Sequence, residues 1–164
     1  MATIREFTAE DTLALQEIWN GIIKEGKAFP QLEYLEDSEA YSFFSGQSYT
    51  GVAEGEAGEA IGFYTLHPNN VGRCGHIANC SYGVSPSHRG NKAGQALVED
   101  SLRKAKELGF TLMQFNAVVA SNLPAMHIYE KIGFVKLGTI PGGFLYSDGR
   151  YVDIILYYFD LQTI

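Results

Sequence analysis

Apolar residues recur along this chain with two periods, which separate predicted helices from predicted strands. Between residues 93 and 108, Leu97, Leu102 and Ala105 keep to one side of a helix with a repeat of about 3.6 residues. Residues 77–84 are instead rich in the apolar and aromatic side chains typical of strands. The full prediction is strands at 3–7, 49–54, 59–67, 77–84, 112–119, 134–140 and 150–159, with helices at 8–26, 38–44, 93–108 and 124–132.

Cap and turn residues support these boundaries. Thr8 and Asp11 have the spacing of a capping box, and Gly26 stands where the first helix should end. Residues 55–58 predict a hairpin turn, and the Gly-rich segment 141–149 predicts a loop between the last two strands. This order of elements predicts a mixed α/β fold, an α+β arrangement with a partly antiparallel sheet of about seven strands and with about four helices.

Length and composition favour one domain. A chain of 164 residues with 46% apolar side chains can bury one sizeable core and is too short for two ordinary domains. We therefore expect a single domain spanning residues 1–164. No apolar run reaches the roughly 18 residues of a membrane span, and the first residues, MATIREFTAE, are charged. These features predict a cytoplasmic protein without a membrane partner.

Charge and cysteine content narrow the function only a little. Twelve basic against 19 acidic residues give a net charge of −7, which disfavours nucleic acid as a partner, although solubility alone also explains an acidic surface. Cys74 and Cys80 are separated by five residues, a spacing that suits neither a redox motif nor a zinc site. We expect reduced cysteines that serve packing, and no metal.

The segment NCSYGVSPSHRGNKAGQALVEDSL, residues 79–102, has the layout of an anion site. A strand ends, a loop carries Arg89, Gly90 and Gly94, and a strong helix begins. A helix N-terminus offers unpaired N–H groups and a partial positive charge. The spacing of the glycines matches neither a P-loop nor a Rossmann fingerprint. An ordinary strand-to-helix turn with an exposed Arg89 and Lys92 is the alternative.

A second segment, SNLPAMHIYEKIGF at residues 121–134, follows directly after a predicted strand. It contains an Asn, an Ala, a Tyr and a Gly-Phe pair at Asn122, Ala125, Tyr129, Gly133 and Phe134. Taken with the loop at residues 89–94, this segment resembles the GNAT superfamily of N-acetyltransferases. The resemblance extends over nearly the whole chain in the order of elements, and it implies the GNAT fold and acetyl-CoA as cosubstrate.

The resemblance also implies roles for individual residues. The coenzyme pyrophosphate would sit on the loop 89–94, Asn122 would bind the pantetheine arm, and Tyr129 would protonate the leaving thiolate. The backbone N–H of Val84 would polarise the thioester carbonyl. Lys92 departs from the pattern, because the family usually has Gly there. The implied cofactor-binding residues are Val84, Arg89, Gly90, Asn91, Lys92, Ala93, Gly94, Gln95, Asn122 and Tyr129.

The acceptor side of the reaction needs a base. An alkyl ammonium with a pKa near 10.4 is only about one part in a thousand neutral at pH 7, so a proton acceptor is expected. The family often uses a Glu near the middle strands, but residues 77–84 contain no carboxylate. Glu54 is our first candidate for the base, beside Tyr129 as the catalytic acid. Glu25, His76 and a water held by Asn79 and Ser81 are the alternatives.

Three residues are candidates for binding the acceptor amine. Asn79 and Asn116 lie on neighbouring predicted strands and need hydrogen-bond partners, which a substrate or the backbone could supply. Tyr146, with Arg150, belongs to an aromatic segment at residues 142–153 that either covers the acceptor or merely covers the core. The segment IWNGIIKEGKAF is similar to enzymes of the family that acetylate small amino acids and analogues such as phosphinothricin.

The function expected from these features is acetyl transfer from acetyl-CoA to a primary or secondary amine of a small molecule, such as an amino acid or an analogue. Two alternatives stay open, a protein or peptide N-acetyltransferase and a non-catalytic acyl-CoA-binding module. Lys92 and the absent carboxylate favour the latter. The family resemblance also makes a homodimer possible.

Overall fold

A seven-stranded mixed sheet runs through the structure, a computed structural model that describes residues 2–164. Its strand order is β1-β2-β3-β4-β5-β7-β6, and all neighbours are antiparallel except the parallel pair β4 and β5. The strands are β1 (Thr3–Glu6), β2 (Tyr49–Glu54), β3 (Ala60–Pro68), β4 (Ile77–Val84), β5 (Leu112–Val119), β6 (Val135–Leu145) and β7 (Tyr151–Asp160).

Four α-helices cover the two faces of the sheet. α1 (Thr12–Glu25) and α2 (Asp37–Ser45) pack on one face, while α3 (Ala93–Glu107) and α4 (Leu123–Ile132) pack on the other. The predicted fold class, with seven strands and four helices, is confirmed. Among residues 2–164, no helix combines the length and the apolar character needed to cross a bilayer.

Each face of the sheet has its own core. On the α3 face, Leu97 and Leu102 pack with the fully buried Tyr64 of β3 and Met113 of β5. On the α1 face, an aromatic core is built around Trp19, whose apolar neighbours come from α1, α2 and β3. Burying one side chain of this size contributes roughly 1.5–3 kcal/mol, so both layers hold the helices firmly against the sheet.

The start of α1 confirms the predicted capping box. The Thr8 N–H donates to Asp11 Oδ2 at 2.8 Å, and a short 3₁₀ turn over Ala9–Asp11 leads into the helix. Arg5 of β1 clamps this corner, because its guanidinium lies 2.8 Å from Asp11 and 2.7 Å from Glu54. Burial opposes ionisation of Asp11, but the hydrogen bonds and charge of Arg5, together with the hydrogen bonds from Thr8, outweigh it and lower the pKa of this carboxyl.

β4 and β5 separate along their length. The two parallel strands pair only at Ile77–Leu112 and Ala78–Met113, although both continue for six more residues, to Val84 and Val119. The register between β5 and β7 also shifts between Phe115 and Val118. Such a bulge redirects side chains locally. The opening between β4 and β5 is therefore a natural place for a ligand.

The predicted loop at residues 141–149 is wrong. β6 continues through it to Leu145, and only residues 146–150 turn into β7. A register shift between Ile140 and Phe144 absorbs the Gly-rich segment, and Asp153 Oδ1 accepts the Gly142 N–H at 3.0 Å. Because β6 is the edge strand, Pro141 has no need to donate to a further strand.

Candidate functional site

Two cavities meet where β4 and β5 separate. We call them the basic cavity, of about 850 Å³, and the aromatic cavity, of about 500 Å³. They share three lining residues, Ala28, Tyr82 and Asn122. A ligand in one cavity can therefore touch a ligand in the other through the gap in the sheet.

The basic cavity concentrates positive charge in an acidic protein. Lys27, Arg89 and Lys92 line it against one carboxylate, that of Glu25, whereas the whole chain has a net charge of −7. Such a local reversal of charge indicates an anionic ligand. Its lining residues are Ile22, Glu25, Lys27, Ala28, Tyr82, Gly83, Val84, His88, Arg89, Gly90, Lys92, Gly94, Gln95, Ser121, Asn122, Pro124, His127, Ile128 and Tyr146.

The loop 89–94 lines this cavity with Arg89, Gly90, Lys92 and Gly94. Gly90 and Lys92 both have left-handed backbone, with φ of 87° and 70°, and Lys92 is the one non-glycine residue with positive φ among residues 2–164. A left-handed residue with a Cβ costs roughly 1–2 kcal/mol, which a binding role would justify. Several backbone N–H groups at this loop have no hydrogen-bond acceptor within residues 2–164. They belong to Gly90, Asn91, Lys92, Gly94 and Gln95.

The side chains of the loop have separate roles. Asn91 Oδ1 accepts the Ala93 N–H at 3.3 Å and so helps to begin α3. Arg89 pairs with Glu25 at 2.8 Å, in an exposed ion pair. Gln95 bonds to Glu99 and accepts from Lys131. Lys92 forms no ion pair within the described residues, so its ammonium is available to a ligand.

Val84 presents a backbone donor to the gap between the strands. Ser85 N–H donates to Ile61 O at 2.8 Å, which makes Gly62 and Val84 a non-hydrogen-bonded pair of the β3–β4 ladder. The Val84 N–H therefore points away from β3, toward β5, where the two strands have already separated. This is the placement that the resemblance implied for a group polarising a carbonyl.

Tyr129 of α4 reaches the aromatic cavity from the other face of the sheet. Its ring packs 4.6 Å from Phe115 and 6.3 Å from Tyr82, measured between ring centroids, and the residue is 9% exposed. Burial, followed by the nearby Cys80 and Tyr157, raises the pKa of the Tyr129 phenol. The phenol therefore keeps its proton at neutral pH and can serve as a donor.

Asn122 lies at the junction of the two cavities and begins α4. Its Oδ1 accepts the Ala125 N–H at 3.4 Å, the usual bond of an N-cap. No acceptor within residues 2–164 takes the N–H groups of its amide. The cap therefore holds a free amide donor between the cavities.

The aromatic cavity lies between α1, α2 and the sheet. Trp19 stands 4.7 Å from both Phe29 and Phe43, between ring centroids, and forms one wall. No Asp, Glu, Lys or Arg of the described chain lines this cavity. Its lining residues are Trp19, Ala28, Phe29, Pro30, Gln31, Phe43, Gln47, Thr65, His67, Asn79, Cys80, Ser81, Tyr82, Phe115, Asn116, Ala117, Val118, Val119, Asn122 and Tyr129.

Asn79 and Asn116 share one partner that the sequence did not indicate. Asn69 Oδ1 accepts from Asn79 Nδ2 at 3.1 Å and from Asn116 Nδ2 at 2.6 Å. Asn69 follows β3, and its backbone N–H extends the ladder to Ile77 O at 2.7 Å. The side chain of Asn69, rather than the backbone, thus holds both amides at the cavity. This contact becomes visible only in the folded structure.

His67 is a site residue that the sequence analysis missed. It lies on β3 opposite Asn79, and its Nδ1 is buried without a hydrogen-bond partner in residues 2–164. Burial lowers the pKa of the imidazole. Because side chains alternate between the two faces of a strand, the sequence could have predicted that His67 and Thr65 share a face of β3. It could not have predicted which face lines the cavity.

Other predicted residues lie elsewhere. Glu54 bonds to Arg5 and lines neither cavity, and neither does the exposed His76. Tyr146 lines the basic cavity and bonds to Ser121, so the structure does not bring it to Asn79 and Asn116.

Residues 142–153 do not cover the aromatic cavity. None of these residues lines the aromatic cavity, and Arg150 pairs on the surface with Asp148 at 2.9 Å. The turn contacts the end of α1 instead, since Ser147 N–H donates to Gly26 O at 3.3 Å.

Comparison with known proteins agrees with this geometry. A model of the acetyltransferase (GNAT) family matches residues 13–134. The chain is 34% identical over 105 residues to N-acetyltransferase aca1 of Schizosaccharomyces pombe, a match covering 63% of this chain and 50% of that protein. The chain thus spans about half the length of this relative.

Two further similarities extend over nearly the whole chain. YwnH of Bacillus subtilis, named as a proposed phosphinothricin acetyltransferase, is 29% identical over 161 residues, covering 93% of this chain and 94% of that protein. The structure of a GCN5-related N-acetyltransferase from Kribbella flavida superposes with a TM-score of 0.89 at 29% identity, covering 96% of each chain.

Proposed function

This chain belongs to the acetyltransferase (GNAT) family, and from that premise we propose that it transfers an acetyl group from acetyl-CoA to the amine of a small molecule. One observation carries the proposal. A basic cavity that suits a polyanion meets an uncharged cavity that suits a small organic molecule, and Tyr129 lies beside the junction. Transfer between two bound substrates requires this kind of contact.

The basic cavity would hold the donor. We assign the phosphates of acetyl-CoA to the free N–H groups of the loop 89–94 and to the ammonium of Lys92, because both supply positive charge without a competing partner. Asn122 would bind the amide-containing arm through its free N–H groups. Glu25 must release Arg89, or share it, before the guanidinium can meet a phosphate.

In the reaction a C–N bond replaces a C–S bond, one proton leaves the amine and one is added to sulfur, and a proton passed from the base to Tyr129, directly or through solvent, restores both groups. The amine nitrogen bonds to the acetyl carbon, the C–S bond breaks, and coenzyme A leaves as a thiol. The Val84 N–H would stabilise the oxyanion. Tyr129 would donate its proton to the departing sulfur, because its raised pKa keeps the phenol protonated until a thiolate forms.

We propose His67 as the group that accepts the amine proton. Four side chains of the aromatic cavity can titrate, namely His67, Cys80, Tyr82 and Tyr129. Burial raises the pKa of Cys80 to about 12 and raises the pKa of both phenols, so these three stay protonated at neutral pH. His67, whose pKa is lowered, is the remaining proton acceptor, acting directly or through water.

A small amine is the acceptor that the cavity favours. Its volume of about 500 Å³ lies in the range of small-molecule sites, roughly 300–1,000 Å³. Amino acids and their analogues are one class to test, since the relative YwnH is named for phosphinothricin. Peptides and protein N-termini are the alternative class to test, and they would need an open groove for an extended chain.

Thiol release from acetyl-CoA, measured with a panel of amines, amino acids, polyamines and peptides, tests the proposal. Calorimetry with acetyl-CoA alone should accompany it. We expect amine-dependent release with small amines. Thiol release with peptides but not with small amines would indicate a protein or peptide N-acetyltransferase instead. Binding of acetyl-CoA without release for any acceptor would establish a non-catalytic acyl-CoA-binding module.

Lys92→Ala should weaken acetyl-CoA binding about fivefold at low salt, the effect of losing one exposed ion pair of about 1 kcal/mol. The difference should shrink at high salt, since screening removes it. Lys92→Gly is the matched variant, because it removes the same ammonium and also the strain of a left-handed Cβ. It should bind like Lys92→Ala but be more stable. Unchanged affinity of Lys92→Ala at low salt would remove Lys92 from the site.

We also propose a homodimer formed through the edge strand β6. Val135, Leu137, Ile140 and Leu145 are between 47% and 56% exposed along this edge, and Tyr151 of β7 is 72% exposed. Leu137→Lys should give a monomer in sedimentation experiments. Leu13→Lys, at a position 73% exposed on α1, is the control and should leave the assembly unchanged. A wild-type monomer at micromolar concentration would contradict the dimer.

A further inference from the structure

The aromatic cavity, which we propose binds the acceptor, differs from the basic cavity in the charge of its lining residues, and this difference bears on substrate choice. The basic cavity is lined by Lys27, Arg89 and Lys92. No Asp, Glu, Lys or Arg of the described chain lines the aromatic cavity. Its polar groups are neutral amides, hydroxyls, a thiol and the imidazole of His67. An anionic group brought into such a cavity loses hydration without gaining a cation.

We propose that the acceptor is an amine carried on an aromatic or otherwise apolar body, without a carboxylate or other acidic group. This inference rests on the proposed function and narrows its substrate class. It separates arylalkylamines and neutral amine derivatives from free amino acids, whose α-carboxylate lies one bond from the carbon that bears the amine.

The wall of the cavity suits such a body. Trp19 packs against Phe29 and Phe43 with tilted and edge-on rings, at 4.7 Å between ring centroids, and Phe115 of β5 also lines the cavity. A further ring can join this arrangement by the offset and edge-to-face contacts that aromatic pairs prefer. An aliphatic body would also be desolvated there, but a carboxylate would find no cation to compensate its charge.

The polar side of the cavity suits an amine rather than an acid. Asn79 and Asn116 each donate an N–H to Asn69 Oδ1, so this carbonyl orients both amides. Asn79 Oδ1 accepts no hydrogen bond from within residues 2–164, and His67 stands opposite Asn79 on the paired strand. An amine N–H finds acceptors here, whereas a carboxylate oxygen finds only donors without full charge.

Matched pairs of acceptors test the inference. Phenylethylamine, phenylalanine and phenylalanine amide share the ring and the amine, and only phenylalanine carries a carboxylate. We expect kcat/KM for phenylethylamine and for phenylalanine amide to exceed the value for phenylalanine at least 100-fold. The same order should hold for tryptamine, tryptophan and tryptophan amide. Equal or higher activity with the free amino acids, or with phosphinothricin, would overturn it.

Binding can be measured without turnover, because Trp19 is the single Trp of the chain and lines the cavity. Its fluorescence, in the presence of coenzyme A, should report phenylethylamine at a Kd at least tenfold below that for phenylalanine. Selective binding without thiol release would reject the proposed function and keep the inference about the cavity. Turnover of amino acids would reject the inference and keep the proposed function.

A charge-introducing variant provides the complementary test. Gln47 lines the cavity, and Gln47→Arg adds a guanidinium there. It should lower the preference for phenylethylamine over phenylalanine at least tenfold. Gln162→Arg adds the same charge at an exposed position outside both cavities and should leave the preference unchanged. If neither variant changes the preference, the absence of charge does not determine the substrate.

Discussion

Replacing Tyr129 with Phe is expected to lower kcat roughly 100-fold, the lower end of the range for a catalytic acid, and to leave the Kd for acetyl-CoA nearly unchanged. The ring is part of a buried aromatic cluster with Phe115 and Phe134, and Phe keeps that packing. Only the hydroxyl is lost. Its proton matters as the thiolate forms, so the loss falls on the transition state rather than on the bound ground state.

Steady-state kinetics and calorimetry on the same preparation measure the two quantities. Tyr157→Phe is the matched control, since it removes a phenolic hydroxyl from the same core, one that donates to Glu130 at 2.8 Å and lines neither cavity. That variant should keep its kcat. If Tyr129→Phe turns over like the wild type, the phenol has no part in the reaction.

His67→Gln is expected to lower kcat/KM roughly 100-fold near pH 7, because Gln keeps the size of the side chain and cannot accept a proton. The variant should also change the pH profile. In the wild type the imidazole must be unprotonated, so kcat/KM should fall as the pH drops through the lowered pKa of His67, which lies below the ordinary 6.5. The variant should lose this acidic limb.

The pH dependence of the free energy of unfolding should also report the titration of His67. Since burial lowers the pKa of His67 in the folded state, the unfolded chain binds the proton first as the pH falls below about 6.5. The free energy of unfolding should therefore decrease over that range, and His67→Gln should reduce the decrease. Above pH 7 this contribution is fully present in the wild type and does not vary.

His76→Gln is the control, because His76 is exposed and lines neither cavity. Its pH profile should match that of the wild type. If His67→Gln retains both its rate and its acidic limb, a bound water without His67 accepts the proton. A loss of rate in His67→Gln would also argue against Glu54 as the base, since Glu54 and its ion pair with Arg5 at 2.7 Å are unchanged in that variant.

Much of the proposed donor site could be predicted from the sequence because its parts are contiguous. The N–H groups of the loop 89–94 point where they do because α3 begins at Ala93, and Asn122 caps α4 within its own segment. The period of the apolar residues likewise predicted the existence of each strand and α-helix, although not the full extent of β6. These features depend on hydrogen bonds and packing faces that span only a few residues.

The proposed acceptor site could not be predicted in this way. His67, Asn69 and Asn116 come from β3, the following loop and a bulge of β5, and they meet only after β4 and β5 separate. The segment 141–145 reads as a loop in sequence but is held in an edge strand by its pairing with β7.

The sequence by itself therefore determined the family, the order of elements and the loop that we propose as the anion-binding site. The tertiary structure decided the uncharged character of the aromatic cavity, the isolation of His67 and the position of Tyr146. The physical reason is that a cavity takes its chemistry from side chains brought together by sheet register and helix packing, and a shift of one residue in register would present the opposite face of each strand.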